Sequence, residues 1–366
     1  MSIISLYEKS ENLFFIGGVV RDELLGKTSP DIDLTFVGNA IEFAKKMDFE
    51  ILQENEEFGS IHLKIDDKTV DITSTRTEKY PQKGHLPVVD KIGCSLKEDL
   101  RRRDFTVNAL AKNCKSGEIV DLVGGIEDLK NKKLRIFHDE SFIDDPTRIV
   151  RGLKFAVRFG FELEEHTKKL QEEYLKNVNY DMSFKRLKDE LKDAFNLDKQ
   201  KVLDLFLEQK IYKLLSDNKN FSKYLCEVED FIKPYLNEIN CIWLIYLCGF
   251  ELKNIPLTKK ELKIIENLKT LLNMNFENDF EMFKMFKKVD IESIFGYGLI
   301  KNPKIVKKYL DFYRDIKLTI NGDDLRKLGF EPSKKMAEAL ESVLQYKYAN
   351  PEINHAEELA IAKKFM

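Results

Sequence analysis

Near residue 112 the chain changes character, from short apolar runs separated by turn residues to long stretches with apolar positions at helical spacing. Before that point LFFIGGVV from Leu13, DIDLTFV from Asp31, SIHLKI from Ser60 and TVDIT from Thr69 are β-branched and aromatic runs bounded by Gly, Asp and Pro. That pattern predicts strands. One helix, from about Ala40 to Met47 (AIEFAKKM), is expected among them. After residue 140 the sequence is Lys/Glu-rich and periodic at helical spacing. The expected fold class is therefore α+β, an N-terminal α/β head followed by an all-helical remainder. Breaks near Ser216–Asn220, Asn254–Pro256 and Asn302–Pro303 subdivide the helical part. From Asn321, NGDDLRKLGFEPSKKMAEALESVL reads as two helices joined by a Gly-Phe-Glu-Pro turn.

Composition narrows the function classes only a little. The chain is 43% hydrophobic and 34% charged, a soluble globular balance for 366 residues. Sixty Lys and Arg against 63 Asp and Glu leave a net charge of −3, so any nucleic-acid surface has to be a local basic patch. Cys94, Cys114, Cys226, Cys241 and Cys248 are scattered without CxxC or Cys/His spacing. This fits a reducing cytosol and argues against a disulfide scaffold or a structural zinc. The first fifteen residues have no charged leader before a long apolar region, so no signal peptide is expected. The longest apolar run, CIWLIYLCGF from Cys241, falls short of the ~20 residues of a membrane span and reads as a buried helix. The expectation is a cytoplasmic protein with no membrane partner and no obligatory protein partner evident.

Three constellations carry candidate chemistry. In IGGVVRDELLGKTSPDIDL a strand runs into Gly17-Gly18 with a helix starting at about Val19. Paired glycines there let backbone N–H groups approach a phosphate, the helix N-terminus adds a favourable dipole, and Arg21 reaches the same anion. Asp31 and Asp33 alternate on a strand and so share one face, with Ile32 on the other. Two carboxylates so close repel unless a cation lies between them, and Mg²⁺ held by carboxylates and substrate phosphates is the natural occupant. Asp71 in TVDIT falls at alternating spacing on another strand, where it would complete a two-metal site. A lone GG or a lone D-x-D is weak; together, in order, they describe a nucleotidyltransferase site.

In EDLRRRDFTVNALA three arginines precede an Asp and an apolar stretch, with Arg103 nearest the latter. They read equally as a solvated basic turn or as partners of a triphosphate. In DDPTRIVRGLKFAVRFGFELEEHT, Asp145-Pro146 marks a helix start, and Asp145, Arg148, Arg151 and Lys154 follow at spacing three. That ribbon winds, so only Asp145 and Arg148 share one flat ligand. Cytosine and adenine each present an amino donor beside a ring-nitrogen acceptor; an Asp and an Arg reading that edge accept C and A and reject U and G. On spacing alone, an ordinary capped helix with an i,i+3 salt bridge explains the same residues.

GGVVRDELLG with DIDL, then RRDFTVNALA, then DDPTRIVRGLKFAVRFGF resemble, in this order, three motifs of the class II tRNA nucleotidyltransferases. That family comprises bacterial and eukaryotic CCA-adding enzymes and bacterial poly(A) polymerases. The similarity spans about residues 14 to 191, with a weaker match at NGDDLRKLGFEPSKKMAEAL to its tRNA-gripping tail. The resemblance implies a head over residues 1–111, a nucleotide-selecting neck over 112–215, a helical body over 216–310 and a tail over 311–366. By it Gly18 and Arg21 contact the triphosphate, Asp31 and Asp33 bind Mg²⁺, and Arg103, Arg151 and Lys154 contact nucleotide. Asp145 and Arg148 read the base, and the substrates are tRNA, CTP and ATP.

Two positions depart from the family pattern: Lys154 where Arg is usual, and Ser183-Phe184-Lys185-Arg186 where S-x-E-R is usual. The segment RTEKYPQKGHLP, residues 76 to 87, resembles a mobile loop shortened in CC-only enzymes, which leans towards an enzyme able to add A. Alternatives within the family are a CC-adding or A-adding enzyme and a poly(A) polymerase; outside catalysis, the alternative is an RNA-binding relative that keeps the fold.

Overall fold

The computed structural model describes residues 3–28, 32–47, 49–66, 68–216, 232–252 and 254–366. It divides into two compact units, Met1–Asp217 with Leu252–Pro256, and Asn218–Glu251 with Leu257–Met366.

In the first unit, α1 (Ile3–Tyr7), β1 (Leu13–Ile16), α2 (Gly18–Leu24), β2 (Asp33–Phe36) and α3 (Ala40–Lys45) come first. They are followed by β3 (Glu50–Asn55), β4 (Ser60–Ile65), β5 (Lys68–Ser74), and the hairpin β6 (Arg76–Lys79) and β7 (Val88–Ile92). The helix α4 (Leu96–Arg101) leads to β8 (Ala111–Asn113) and β9 (Ile119–Val120). Seven strands form one sheet in the order β3-β4-β5-β2-β1-β8-β9. Only the β2–β5 pairing within it is parallel, and it sets Asp33 opposite Asp71.

Alternation determines which face each side chain takes. Ile61, Leu63 and Ile65 of β4 and Val70 and Ile72 of β5 are buried with Leu34, and Leu6, Ala40, Ile41 and Ala44 of the two helices close that core. The intervening residues His62, Asp71 and Thr73 therefore look the other way. The edge strand β3 is exposed along almost its whole length and shows no such alternation.

After α5 (Gly125–Lys130) the chain turns helical: α6 (Ser141–Asp144), α7 (Thr147–Phe159), α8 (Glu165–Tyr174), α9 (Phe184–Phe195) and α10 (Lys199–Glu208). Ile149, Val150 and Leu153 on α7 are buried, as are Leu187 and Leu191 on α9 and Leu203 and Phe206 on α10. These three helices pack on one another.

The second unit is helical: α11 (Ile242–Leu247), α12 (Lys259–Asn273), α13 (Asp279–Phe286), α14 (Ile291–Ile300), α15 (Pro303–Lys308), α16 (Gly322–Lys327), α17 (Lys334–Ala349) and α18 (His355–Ala362). The apolar run at Cys241 is a buried helix, with Trp243 through Leu247 all in the core. Phe283 and Phe286 of α13 are core as well, and Phe283 stacks on Tyr313 at 4.5 Å. Among the described residues no helix is long and apolar enough to cross a membrane. Among the described residues Cys94, Cys114, Cys241 and Cys248 form no disulfide; Cys226 lies outside the described residues.

Candidate active site

The site is organised by the turn that ends β1. Gly17 adopts φ +69°, which L side chains rarely take. A Cβ there would also meet Arg103 Nη1 at 3.0 Å. Gly17 caps α2, so the N-terminal end of the helix borders a cavity of about 500 Å³. Gly17, Gly18, Arg21, Arg103, Asp145, Arg148 and Arg151 all line this cavity. Its described lining holds seven arginines and only three carboxylates. In a chain of net charge −3 that is a strong local field for an anion.

A second cavity, about 240 Å³, shares Gly17, Gly18, Arg76, Arg102 and Arg103 with the first and adds Asp33, Thr35, Asp71 and Thr73. Asp31 lies outside the described residues, as does any strand geometry for it; β2 as described begins at Asp33. Asp71 stands beside Asp33 in register and is paired with His62 on the neighbouring strand. Among the described residues no group of three or more His, Cys, Asp or Glu side chains comes together so as to hold a metal ion by itself. The described donors, two carboxylates on adjacent strands facing the same cavity, are the hard oxygen ligands that suit Mg²⁺.

Each arginine of the first cavity is fixed differently. Arg21 is 5% exposed. Its Nε donates to Asp22 Oδ1 at 2.8 Å, Nη1 donates to Asn108, and the guanidinium lies over Phe155 and Phe159 at 5.2 and 4.7 Å. It brings charge to the wall, with most of its donors taken. Arg101 points outward, whereas Arg102 and Arg103 turn in on the buried Asp99, at 2.9 and 3.3 Å. Burial pushes the Asp99 carboxyl up, but the Arg103 and Arg102 charges and the Arg76 N–H outweigh it and hold it below the usual range. Arg103 Nε is buried without a hydrogen-bond partner.

Arg151 Nε donates to Asp104 Oδ2 at 2.8 Å, and its Nη1 reaches Glu190 at 3.2 Å. Burial raises the Asp104 carboxyl, yet Arg151, Asn108 and the Phe105 N–H together hold it low. Lys154 lines neither cavity; its ammonium pairs with Glu190 at 2.6 Å and Asp193 at 3.1 Å on α9. The winding of a ribbon spaced by three explains why it leaves the cavity.

Asp145 precedes α7 and accepts from Thr147 N at 3.2 Å and Thr147 Oγ1 at 2.6 Å. Arg186, from the first turn of α9, forks onto it at 3.2 and 2.6 Å. Arg148 is 4% exposed, and its Nη2 donates to Tyr80 Oη and to the Arg102 carbonyl, both at 3.3 Å. Its Nη1 is buried with no hydrogen-bond partner. Lys185 is exposed.

Sequence reasoning did not single out Arg76, Glu78, Tyr80 or Arg102, all of which line the first cavity. The alternation Arg76-Thr77-Glu78 on β6 was the available signal, since it places an acid and a base on one strand face.

Residues 13–135 match the poly A polymerase head domain. The A-adding tRNA nucleotidyltransferase of Aquifex aeolicus is 45% identical over 163 residues, covering 43% of this chain but only 20% of that protein. That of Halalkalibacterium halodurans is 30% identical over 369 residues, 90% of this chain and 83% of its own length. The CCA-adding enzyme of Enterococcus faecalis is 28% identical over 91% of this chain and 87% of its own. Among solved structures, the Thermotoga maritima CCA-adding enzyme complexed with tRNA superposes with a TM-score of 0.76 at 26% identity, covering 99% of this chain and 94% of that one. An all-but-complete match in length, fold and head domain places this chain in the class II tRNA nucleotidyltransferase family, that of the CCA-adding and A-adding enzymes.

Proposed function

We propose that the protein adds nucleotides to the 3′ end of tRNA without a nucleic-acid template, using CTP and ATP to complete CCA. The observation that carries this reading is the buried Arg148, whose Nη1 lacks a partner beside Asp145 in one cavity with the Gly17-Gly18 turn. An unsatisfied buried guanidinium donor is costly unless a ligand acceptor completes it. The ring nitrogen shared by cytosine and adenine is such an acceptor, and Asp145 takes the adjacent amino group. Tyr80 and the Arg102 carbonyl fix the donor; Thr147 and Arg186 fix the acceptor. Uracil and guanine present the opposite pattern and leave both protein groups mismatched.

The tRNA 3′-oxygen forms a bond to the α-phosphorus as the bond to the β-phosphate oxygen breaks, and pyrophosphate leaves. The Gly17-Gly18 turn and the arginines orient and neutralise the triphosphate. Asp33, with Asp31 by resemblance, would hold Mg²⁺, and Asp71 stands beside Asp33 in register as a further acid. Bound there, the cation's chemistry is to lower the hydroxyl pKa and stabilise the leaving group.

A second reading, addition of the terminal A alone, is favoured by the A-adding names of the Aquifex and Halalkalibacterium relatives. One experiment separates the two. tRNA transcripts ending at the discriminator base, after the first C and after the second C are offered each nucleoside triphosphate singly and CTP with ATP. Completion of all three to CCA supports the first reading, extension of the CC-ended transcript alone supports the second, and no incorporation sinks both. Asp33→Ala is expected to abolish incorporation while leaving tRNA binding intact.

A further inference from the structure

Arg148, Arg151 and Phe155 of α7 line the first cavity. Gly152 and Ala156 each follow one of these in sequence and so stand about 100° further round the helix axis. They line a third cavity, of about 630 Å³, whose other walls are α8, α10 and the short strand Glu162–Leu163. No residue assigned to the active site belongs to it. Its volume falls in the range of small-molecule sites, roughly 300–1,000 Å³.

Phe161, Leu163 and Leu205 give this cavity apolar walls, and two side-chain amides give it a polar edge. Gln171 of α8 is 3% exposed, and its Nε2 donates to Oε1 of Gln209, the residue after α10, at 3.0 Å. A closed amide pair makes two such bonds, and this one makes a single bond. Gln171 Oε1 and Gln209 Nε2 have no hydrogen-bond partner among the described residues, so one acceptor and one donor remain beside each other. Exchanging O and N in both amides leaves the same inventory. The rim carries Lys168 and Lys201 against Glu172 and Glu208, all exposed and none in an ion pair among the described residues. Glu162 is tied to Lys133 at 2.9 Å. With two charges of each sign the opening favours neither anions nor cations, unlike the arginine-lined first cavity.

We propose that this third cavity is a second binding site, for an uncharged planar heterocycle that carries a hydrogen-bond donor beside an acceptor, a free nucleoside being the type. The open amide pair takes the polar edge of the ring, as side-chain amides do when they read a base bidentately. The apolar walls take its faces. Every nucleobase has such an edge, so the pair selects the class and not one base. The neutral rim gives a phosphate nothing to gain, so nucleoside and nucleotide bind alike. A ligand seated against Gly152 and Ala156 also abuts the helix that holds Arg148 and Arg151. The site is independent of the activity assigned to the first cavity.

The test is titration of the full chain with adenosine and with AMP, followed by hydrogen exchange so that each cavity reports its own occupancy. Adenosine should protect amides in residues 168–175 and 201–209, the segments of α8 and α10 that line the cavity. AMP should protect them at no lower concentration. Gln171→Leu removes the acceptor and Leu205→Trp fills the space, and each should raise the adenosine concentration needed about tenfold or more. Asp145→Asn, which alters only the first cavity, should leave it within twofold. Absence of protection at these segments overturns the proposal, as does protection that Gln171→Leu and Leu205→Trp leave unchanged or that Asp145→Asn removes. A clear preference for AMP overturns the uncharged class of ligand. Should Gln171→Leu fail to fold, Leu205→Trp, at a position only half-buried, decides the same question.

Discussion

Gly84 is the position where one methyl group should disconnect the hairpin loop from the base-reading residues. It sits in the connection between β6 and β7 at φ +79°. Its N–H donates to the Asp144 carbonyl at 3.0 Å, and its own carbonyl accepts from the Ser183 N–H at 2.9 Å. The loop tip therefore bridges the residue before Asp145 and the cap of the helix that carries Arg186. A Cβ on Gly84 would lie 2.7 Å from the Asp181 carbonyl oxygen and 3.1 Å from Met182 Cα, both backbone atoms that cannot swing aside. For Gly84→Ala the left-handed conformation costs about 1–2 kcal/mol. Separation of the tip forfeits two backbone hydrogen bonds worth about 1 kcal/mol each. The side-chain contacts that remain, Lys83 to Glu140 and to the largely buried Asp144, and Gln82 and His85 to Asp181, hang on side chains that are themselves mostly exposed and contribute less than the backbone pair. The left-handed strain and the backbone clash, an overpacking cost of about 1–3 kcal/mol, together come to about 3 kcal/mol, enough to outweigh those two bonds and on the order of a hundredfold in the docked population. Hydrogen exchange should show the Ser183 amide losing protection, and kcat/KM for ATP and CTP should fall about ten- to a hundredfold. A Gly84→Ala variant that keeps Ser183 protected and incorporates at the wild-type rate would refute the bridge.

Asp145→Asn keeps the size of the side chain but turns an N–H₂ towards Arg186, so the fork now meets a donor. Its kcat/KM for CTP and ATP is expected to fall about a hundredfold and its preference over UTP to shrink, read by single-nucleotide incorporation. Acid should act through Asp99 and Asp104, whose carboxyls are held low in the fold. Because the unfolded chain binds the proton more readily, their stabilisation is complete above about pH 4 and lost as pH falls from there through their depressed values. Melting temperature followed from pH 6 to 3 should drop, and less steeply in Asp104→Asn; equal slopes would contradict the assignment. In the second unit Lys347 pairs with the fully buried Glu358, which also accepts from Thr319 N at 2.8 Å and Ile320 N at 3.0 Å. Lys347→Met strands that carboxylate and should cost about 3 kcal/mol in denaturant unfolding; no change would mean the pair is not formed.

What the sequence revealed and what it hid divide along sequence distance. Alternation identified the buried faces of β4 and β5, and the helical spacing after residue 140 identified α7 and α9, because both periods are local. The facing of Asp33 and Asp71 required a parallel pairing across 38 residues that no local pattern specifies. Lys154 shows the same limit from the other side. Its spacing put it on the ribbon of Asp145 and Arg148, but Glu190 and Asp193, which take its charge, lie on a helix more than 35 residues later. Glu78 joins Arg76 two residues away and Arg102 twenty-four residues on, so only the first half of that junction was visible in RTE.

The same reasoning explains why bulk charge was silent about an anion site. Apart from Asp145, the acids in and behind the wall of the first cavity are few and deep. Asp99 is fully buried and Glu78 and Asp104 nearly so, each spent on arginines rather than shown to a ligand. Their desolvation is offset only because two or three N–H groups converge on each carboxylate, and that convergence fixes where the guanidiniums point. The acids thus lower the net charge of the chain without lowering the positive face of the cavity, since a carboxylate held behind an arginine cancels charge at a distance but not at the contact. A site built this way binds phosphate by geometry as much as by field. Replacing an arginine with lysine should therefore cost more here than the conserved charge suggests, because one ammonium cannot satisfy a buried acid and a phosphate oxygen along two fixed directions.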